Sequence, residues 1–129
     1  MKNYTFTTHI PPLSDDDLKW NYEKYRRKYW IREGLLFPED ITVIFGKMHK
    51  GKSRKEDFCA IAQSNDKIII LDPILKHVWD KAVLCLLHEM AHIYTGSSTN
   101  WDLRKRGHGK TFQNEINRLY ALGAFRELI

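Results

Sequence analysis

The sequence has no apolar run near the roughly 18–20 residues that a membrane-crossing helix needs. Met1 to Leu13 also lack the apolar centre of a secretion signal. No membrane partner and no secretion are expected. The expected location is the cytoplasm, or the nucleoid or nucleus if DNA is bound. Cysteine is scarce. Cys59 and Cys85 sit among apolar neighbours and form no CxxC pair. That excludes a zinc ribbon or finger and points to buried, reduced thiols rather than a disulfide. Internal repeats and low-complexity tracts are absent too, which leaves one domain over residues 1–129. Its first 13 residues read as an irregular lead-in closed by Pro11-Pro12.

What is present is ordinary for a folded domain. Hydrophobic residues make up 43%, charged residues 29% and aromatics 12% of the 129 residues, a balance that excludes general disorder. A net charge of +5 is compatible with an anionic partner such as nucleic acid.

Ser14 followed by Asp15, Asp16 and Asp17 is a helix start, with a capping hydroxyl and acids at the positive end of the dipole. The helix is expected to reach about Arg32, with Gly34 beyond it. Leu18, Tyr22, Tyr25 and Tyr29 should face the core, and Lys24, Arg26, Arg27 and Lys28 should fall mostly elsewhere. Three strands are expected, over Ile41–Met48, Asp57–Gln63 and Lys67–Leu71, the last two joined by the turn Ser64-Asn65-Asp66. Asp72-Pro73 can start a short helical turn. Asp80 is the expected cap of a longer helix that stops at Thr95 and Gly96, and a last helix should run from His108–Thr111 to about Leu122. The predicted class is α+β, with a small, largely antiparallel sheet.

His88-Glu89-Met90-Ala91-His92 carries the chemistry. Histidines four apart on a helix share a face, so both imidazoles can reach one metal ion, and the intervening Glu89 can take a proton from the water that the ion activates. A pattern this short arises by chance in about one or two chains of this composition in a hundred. The flanks sharpen it. His88, His92, Glu89, Cys85 and Lys81 fall within roughly a 100° arc, and the rest of the helix is nearly all apolar. Such a helix is buried, and burying imidazoles and a carboxylate without partners is costly, a cost that a metal removes. Surface polar residues on an ordinary amphipathic helix are the bland alternative.

Catalytic zinc usually takes three protein ligands and keeps one open position. His108 is the expected third. It lies between Gly107 and Gly109, at a helix start, sixteen residues after His92. Glu115 is the competing ligand. His9, His49 and His77 have no supporting spacing.

The stretch from Val83 to Leu119, with His88 to His92 and then His108-Gly109-Lys110-Thr111-Phe112, resembles the SprT-like metallopeptidase domain, the class that includes the Spartan proteases. The aromatic N-terminal helix, three short strands and Pro-containing turn fit the same layout, so the resemblance runs from about Leu18 to Leu122. It implies a zincin-like fold, one zinc ion on His88, His92 and His108, and Glu89 as the catalytic base. It also implies a metalloendopeptidase that acts on DNA-bound or DNA-crosslinked proteins and is stimulated by DNA. Many bacterial members carry a cysteine zinc ribbon, and larger relatives carry DNA-binding tails. This sequence holds neither, so any DNA contact is expected from the domain itself.

Two basic segments are available for it, Lys47–Lys55 and Arg104–Arg106. Trp20, Trp30 and Trp101 either stack on unpaired bases or pack in the core. Tyr94, Lys81 and His77 are candidate donors to the anionic intermediate of peptide hydrolysis. A monomer with a protein substrate is expected. The alternative from another class is a nucleic-acid-binding or interaction module that keeps zinc for stability and cleaves little.

Overall fold

Ser14 and the three aspartates start the first helix as the sequence predicts. In the computed structural model, which describes residues 11–46, 60–63, 67–96 and 109–126, α1 spans Asp15–Tyr29. The Ser14 hydroxyl accepts from the Asp17 amide at 3.2 Å, and the Asp17 carboxylate accepts from the Ser14 amide at 2.8 Å. This reciprocal pair satisfies two of the amides that a helix start leaves open. Leu18, Tyr22, Tyr25 and Tyr29 are all buried. Burial pushes the Tyr22 phenol well above its usual range, so it stays neutral and donates to the Pro38 carbonyl at 2.7 Å.

The helix ends earlier than expected. Trp30 leaves helical geometry at φ −122° and ψ −59°, and a short 3-10 turn, Ile31–Glu33, carries the chain to Gly34. The cause is tertiary. The indole of Trp30 is fully buried, packed on Phe37 with ring centroids 4.5 Å apart. Arg26, expected away from the core, is buried as well. It donates to the Phe37 carbonyl and bonds Glu23.

Three strands form one sheet: β1 (Thr42–Phe45), β2 (Ala60–Gln63) and β3 (Ile68–Leu71). Their order is β1-β3-β2. β2 pairs with β3 antiparallel, but β1 pairs with β3 parallel. The expected largely antiparallel sheet is thus corrected to a mixed one. β3 inserts between its predecessors, and its unbroken apolar run Ile68-Ile69-Ile70-Leu71 suits a strand paired on both edges. β1 and β3 are shorter than expected. Lys67 has φ 53° and belongs to the turn, while the earlier expected ends at 47–48 and 57–59 lie outside the described residues, as does the turn 64–66. Asp15 joins helix to sheet by accepting from the Phe45 amide at 2.8 Å.

Asp72 caps a 3-10 turn, Pro73–His77, by accepting from the Ile74 amide. α2 then spans Trp79–Thr95. Its cap is Val78 rather than the expected Asp80, whose carboxylate lies within the first turn and accepts from Lys81. Gly96, at φ 76°, ends the helix where a side chain would be strained. α3 spans Lys110–Ala121, close to expectation. α2 lies between the sheet and α3 and also touches α1. The core is therefore assembled around it. Cys85 is half-buried on α2, and Cys59 lies outside the described residues. Among the described residues, no helix is long and apolar enough to cross a membrane.

Candidate metal centre

The second half of α2 is enclosed. Leu86, Leu87, Glu89, Met90, Ala91, His92 and Ile93 are all buried, although Trp79 to Lys81 and Leu84 in its first half are exposed. The apolar flanks of the motif predict this enclosure, and it places two titratable residues inside: His92 at 0% exposure and Glu89 at 4%. His88 is half-buried beside them.

The two imidazoles lie as the four-residue spacing requires. Their ring centroids are 5.0 Å apart, with planes inclined by 68°. A zinc ion bonded to an imidazole nitrogen sits roughly 3 Å from that ring's centre. Two rings that share an ion therefore have centres no more than about 6 Å apart. The observed separation meets that condition.

α3 closes over this pair with Phe112. Its ring stacks on His92 at 4.2 Å with planes 23° apart and meets His88 edge-on at 5.1 Å. One buried phenyl thus touches both imidazoles and restricts their rotation. Phe112 was legible only as part of a resemblance, and its contact with both rings is what the structure adds. His108 lies outside the described residues. The described chain resumes at Gly109, the amino-terminal cap of α3 and three residues before Phe112. Among the described residues, no group of three or more His, Cys, Asp or Glu could hold a metal ion. They supply two imidazole donors, one fewer than a catalytic zinc usually takes. A catalytic zinc held by this pair would need its third donor from outside them.

Glu115, the competing ligand, is committed elsewhere. It accepts from the Trp30 indole at 2.8 Å and from Arg118 at 3.0 Å on one oxygen and 2.6 Å on the other. Arg118 also donates to the carbonyl of Tyr29, at the end of α1, at 2.9 Å. Both oxygens of Glu115 are therefore engaged in a clamp that ties α3 to the end of α1. The sequence signal was the Glu115/Arg118 spacing of three; the Trp30 contact spans 85 residues and leaves no local trace.

The candidate oxyanion donors are scattered. Tyr94 is half-buried, with its ring parallel to Phe37 at 6.2 Å and near Trp30 at 6.1 Å. Its ring therefore packs into the aromatic core. Lys81 is exposed two turns before His88, and His77 is exposed at the end of the 3-10 turn. The structure does not bring these three together with the imidazoles. Of the tryptophans offered for stacking, Trp30 is in the core and Trp20 is 65% exposed. Trp101 and both basic segments, Lys47–Lys55 and Arg104–Arg106, lie outside the described residues.

Comparison with known proteins adds one finding. The family model described as SprT-like family matches residues 22–126, from the middle of α1 to just beyond α3. No curated protein and no solved structure matches the chain.

Proposed function

The chain belongs to the SprT-like family, and from that premise we propose that it is a zinc-dependent metalloendopeptidase with a zincin-like active site. The observation that carries the proposal is the enclosed helical pair His88 and His92, held by Phe112, with the buried carboxylate of Glu89 beside it. His88, His92 and His108 hold the ion in this reading. Gly109 caps α3 three residues before Phe112, which packs on His92, and this favours its neighbour His108 as the third donor.

Zinc bound there supplies a polarised scissile carbonyl and a water acidic enough to ionise near neutral pH. Glu89 takes the proton of the attacking water on its carboxylate. It then delivers that proton to the amine nitrogen that leaves when the C–N bond breaks. The enclosure of α2 keeps bulk water from competing for the same carboxylate. Phe112 fixes the two rings that would otherwise turn about their side-chain bonds.

DNA-bound or DNA-crosslinked proteins are the proposed substrates, with Lys47–Lys55 and Arg104–Arg106 as the DNA contacts. A cytoplasmic, nucleoid or nuclear location and a monomeric state belong to the same proposal.

A Glu89→Gln variant tests it. The variant should fold and bind zinc like the wild type but lose cleavage of a test protein. If the zinc-loaded wild type cleaves nothing, with or without single-stranded DNA, a zinc-stabilised binding module becomes the better account.

A further inference from the structure

Trp30 joins three helices at one buried point. It follows the last residue of α1, where the chain leaves helical geometry. Its indole is fully buried. Toward α3, the indole N–H donates to Glu115 at 2.8 Å. The Arg118 guanidinium lies 5.5 Å from the indole ring while it donates to the Tyr29 carbonyl at 2.9 Å. Toward α2, the indole meets the Tyr94 ring at 6.1 Å. Phe37 packs on both, 4.5 Å from Trp30 and 6.2 Å from Tyr94.

These contacts are close in the chain to the imidazole pair. Tyr94 is two residues after His92 on α2, and Glu115 is three residues after Phe112 on α3. Residues three apart on a helix share a face and lie about 4.5 Å apart along its axis. Phe112 and Glu115 are therefore two points at which one side of α3 is held. At the first, Phe112 rests on His92 and His88. A helix that touches its neighbour at one point can rock about it, and a second fixed point removes that freedom. The start of α3 adds little restraint of its own. Gly109 caps it with no side-chain bond, and no acid stands in its first turn. The bond from Trp30 to the Glu115 carboxylate is charge-assisted and buried, so it is among the stronger kinds.

We infer that Trp30 is a positioning residue for the metal centre. Its indole fixes α3 so that Phe112 holds both imidazoles in the orientation one ion requires. This rests on reading the imidazole pair as a metal site, but not on peptide cleavage.

The test is cobalt(II) binding by the full chain, read by visible d–d absorption and by competition with a chelator. Trp30→Phe keeps an aromatic ring and removes the N–H donor. It should bind one cobalt per chain about tenfold more weakly, as the loss of a group that orients metal ligands predicts, with an altered d–d band. Val43→Ala is the control. It opens the core at β1 and should lower the melting temperature while leaving affinity and spectrum unchanged. A double variant decides whether Trp30 acts through Phe112. Trp30→Phe with Phe112→Leu should bind cobalt about as weakly as Phe112→Leu alone, because effects within one contact network do not add. If Trp30→Phe does not fold, Glu115→Gln weakens the same bond and should show a smaller loss of affinity. Unchanged affinity in these variants, an equal loss in Val43→Ala, or losses that multiply in the double variant would each overturn the inference and leave the metal site standing. A wild type that binds no cobalt would overturn both. One that binds cobalt and cleaves no protein would overturn only the peptidase.

Discussion

Glu89 and Glu115 are almost equally hidden from water, at 4% and 6% exposure, yet they lie on different helices. Glu115 gives both oxygens to Trp30 and Arg118, and its charge is spent on holding α3 against α1. Glu89 lies on the helix that carries His88 and His92, one residue from the first and three from the second. Burial alone assigns neither carboxylate a role. In the proposed mechanism Glu89 carries the proton, whereas the bonds of Glu115 and Arg118 tie α3 to the end of α1.

Breaking the contrast on the Glu89 side should give the largest effect. Glu89→Gln should lower peptide cleavage by about 10²- to 10⁴-fold, the usual worth of a positioned base. Thermal unfolding and zinc content should stay near wild type. On the other side, Glu115→Gln should cost about 2 kcal/mol of stability, because it leaves Arg118 and Trp30 without their charged acceptor. The Arg118 side chain is 27% exposed, which keeps the cost below the roughly 3–5 kcal/mol of breaking a fully buried pair. Denaturant unfolding measures it, and equal stability of the two proteins would show that the clamp does not hold α3.

Phe112 links the two settings, being on the helix of Glu115 and packed on the imidazoles. Phe112→Leu should destabilise the fold by about 1 kcal/mol, as a near volume-conserving core change does. It should weaken zinc binding roughly tenfold, by analogy with the loss of groups that orient metal ligands. Competition with a zinc chelator reads the second effect, and unchanged affinity would remove Phe112 from the site.

The smallest effect belongs to an exposed carboxylate. Lys67, hydrogen-bonded at 3.0 Å, holds the Asp40 carboxyl below its usual range. A lowered value means stability that is present above the ordinary carboxylate range and is lost as pH falls through the folded-state value. Because the pair is solvated, Asp40→Asn should leave the melting temperature at neutral pH nearly unchanged and slightly reduce its fall in acid.

Much of the molecule was legible in the sequence where the cause is local. Ser14 and Asp17 announce their reciprocal cap, the tyrosines of α1 announce its buried face, and the apolar flanks of His88 to His92 announce an enclosed helix. What was missed depends on distant contacts. Trp30 ends α1 because its indole is drawn into the core toward Phe37 and Glu115. β1 runs parallel to β3 because β3 enters between two earlier strands, which no period within a strand can reveal. The charge of Glu115 looked available for a metal because its Trp30 partner is far away in the chain. His108 carries the remaining weight of the site, and its support is the resemblance together with the position of Gly109.

The most direct measurement is zinc content per chain for wild type beside His108→Ala and Glu115→Gln, each checked for folding. One ion in wild type, one in the Glu115 variant and none in the His108 variant is the predicted result. Retention of zinc by the His108 variant, with loss from the Glu115 variant, would contradict the assignment of the third ligand and the separation of the two glutamates with it.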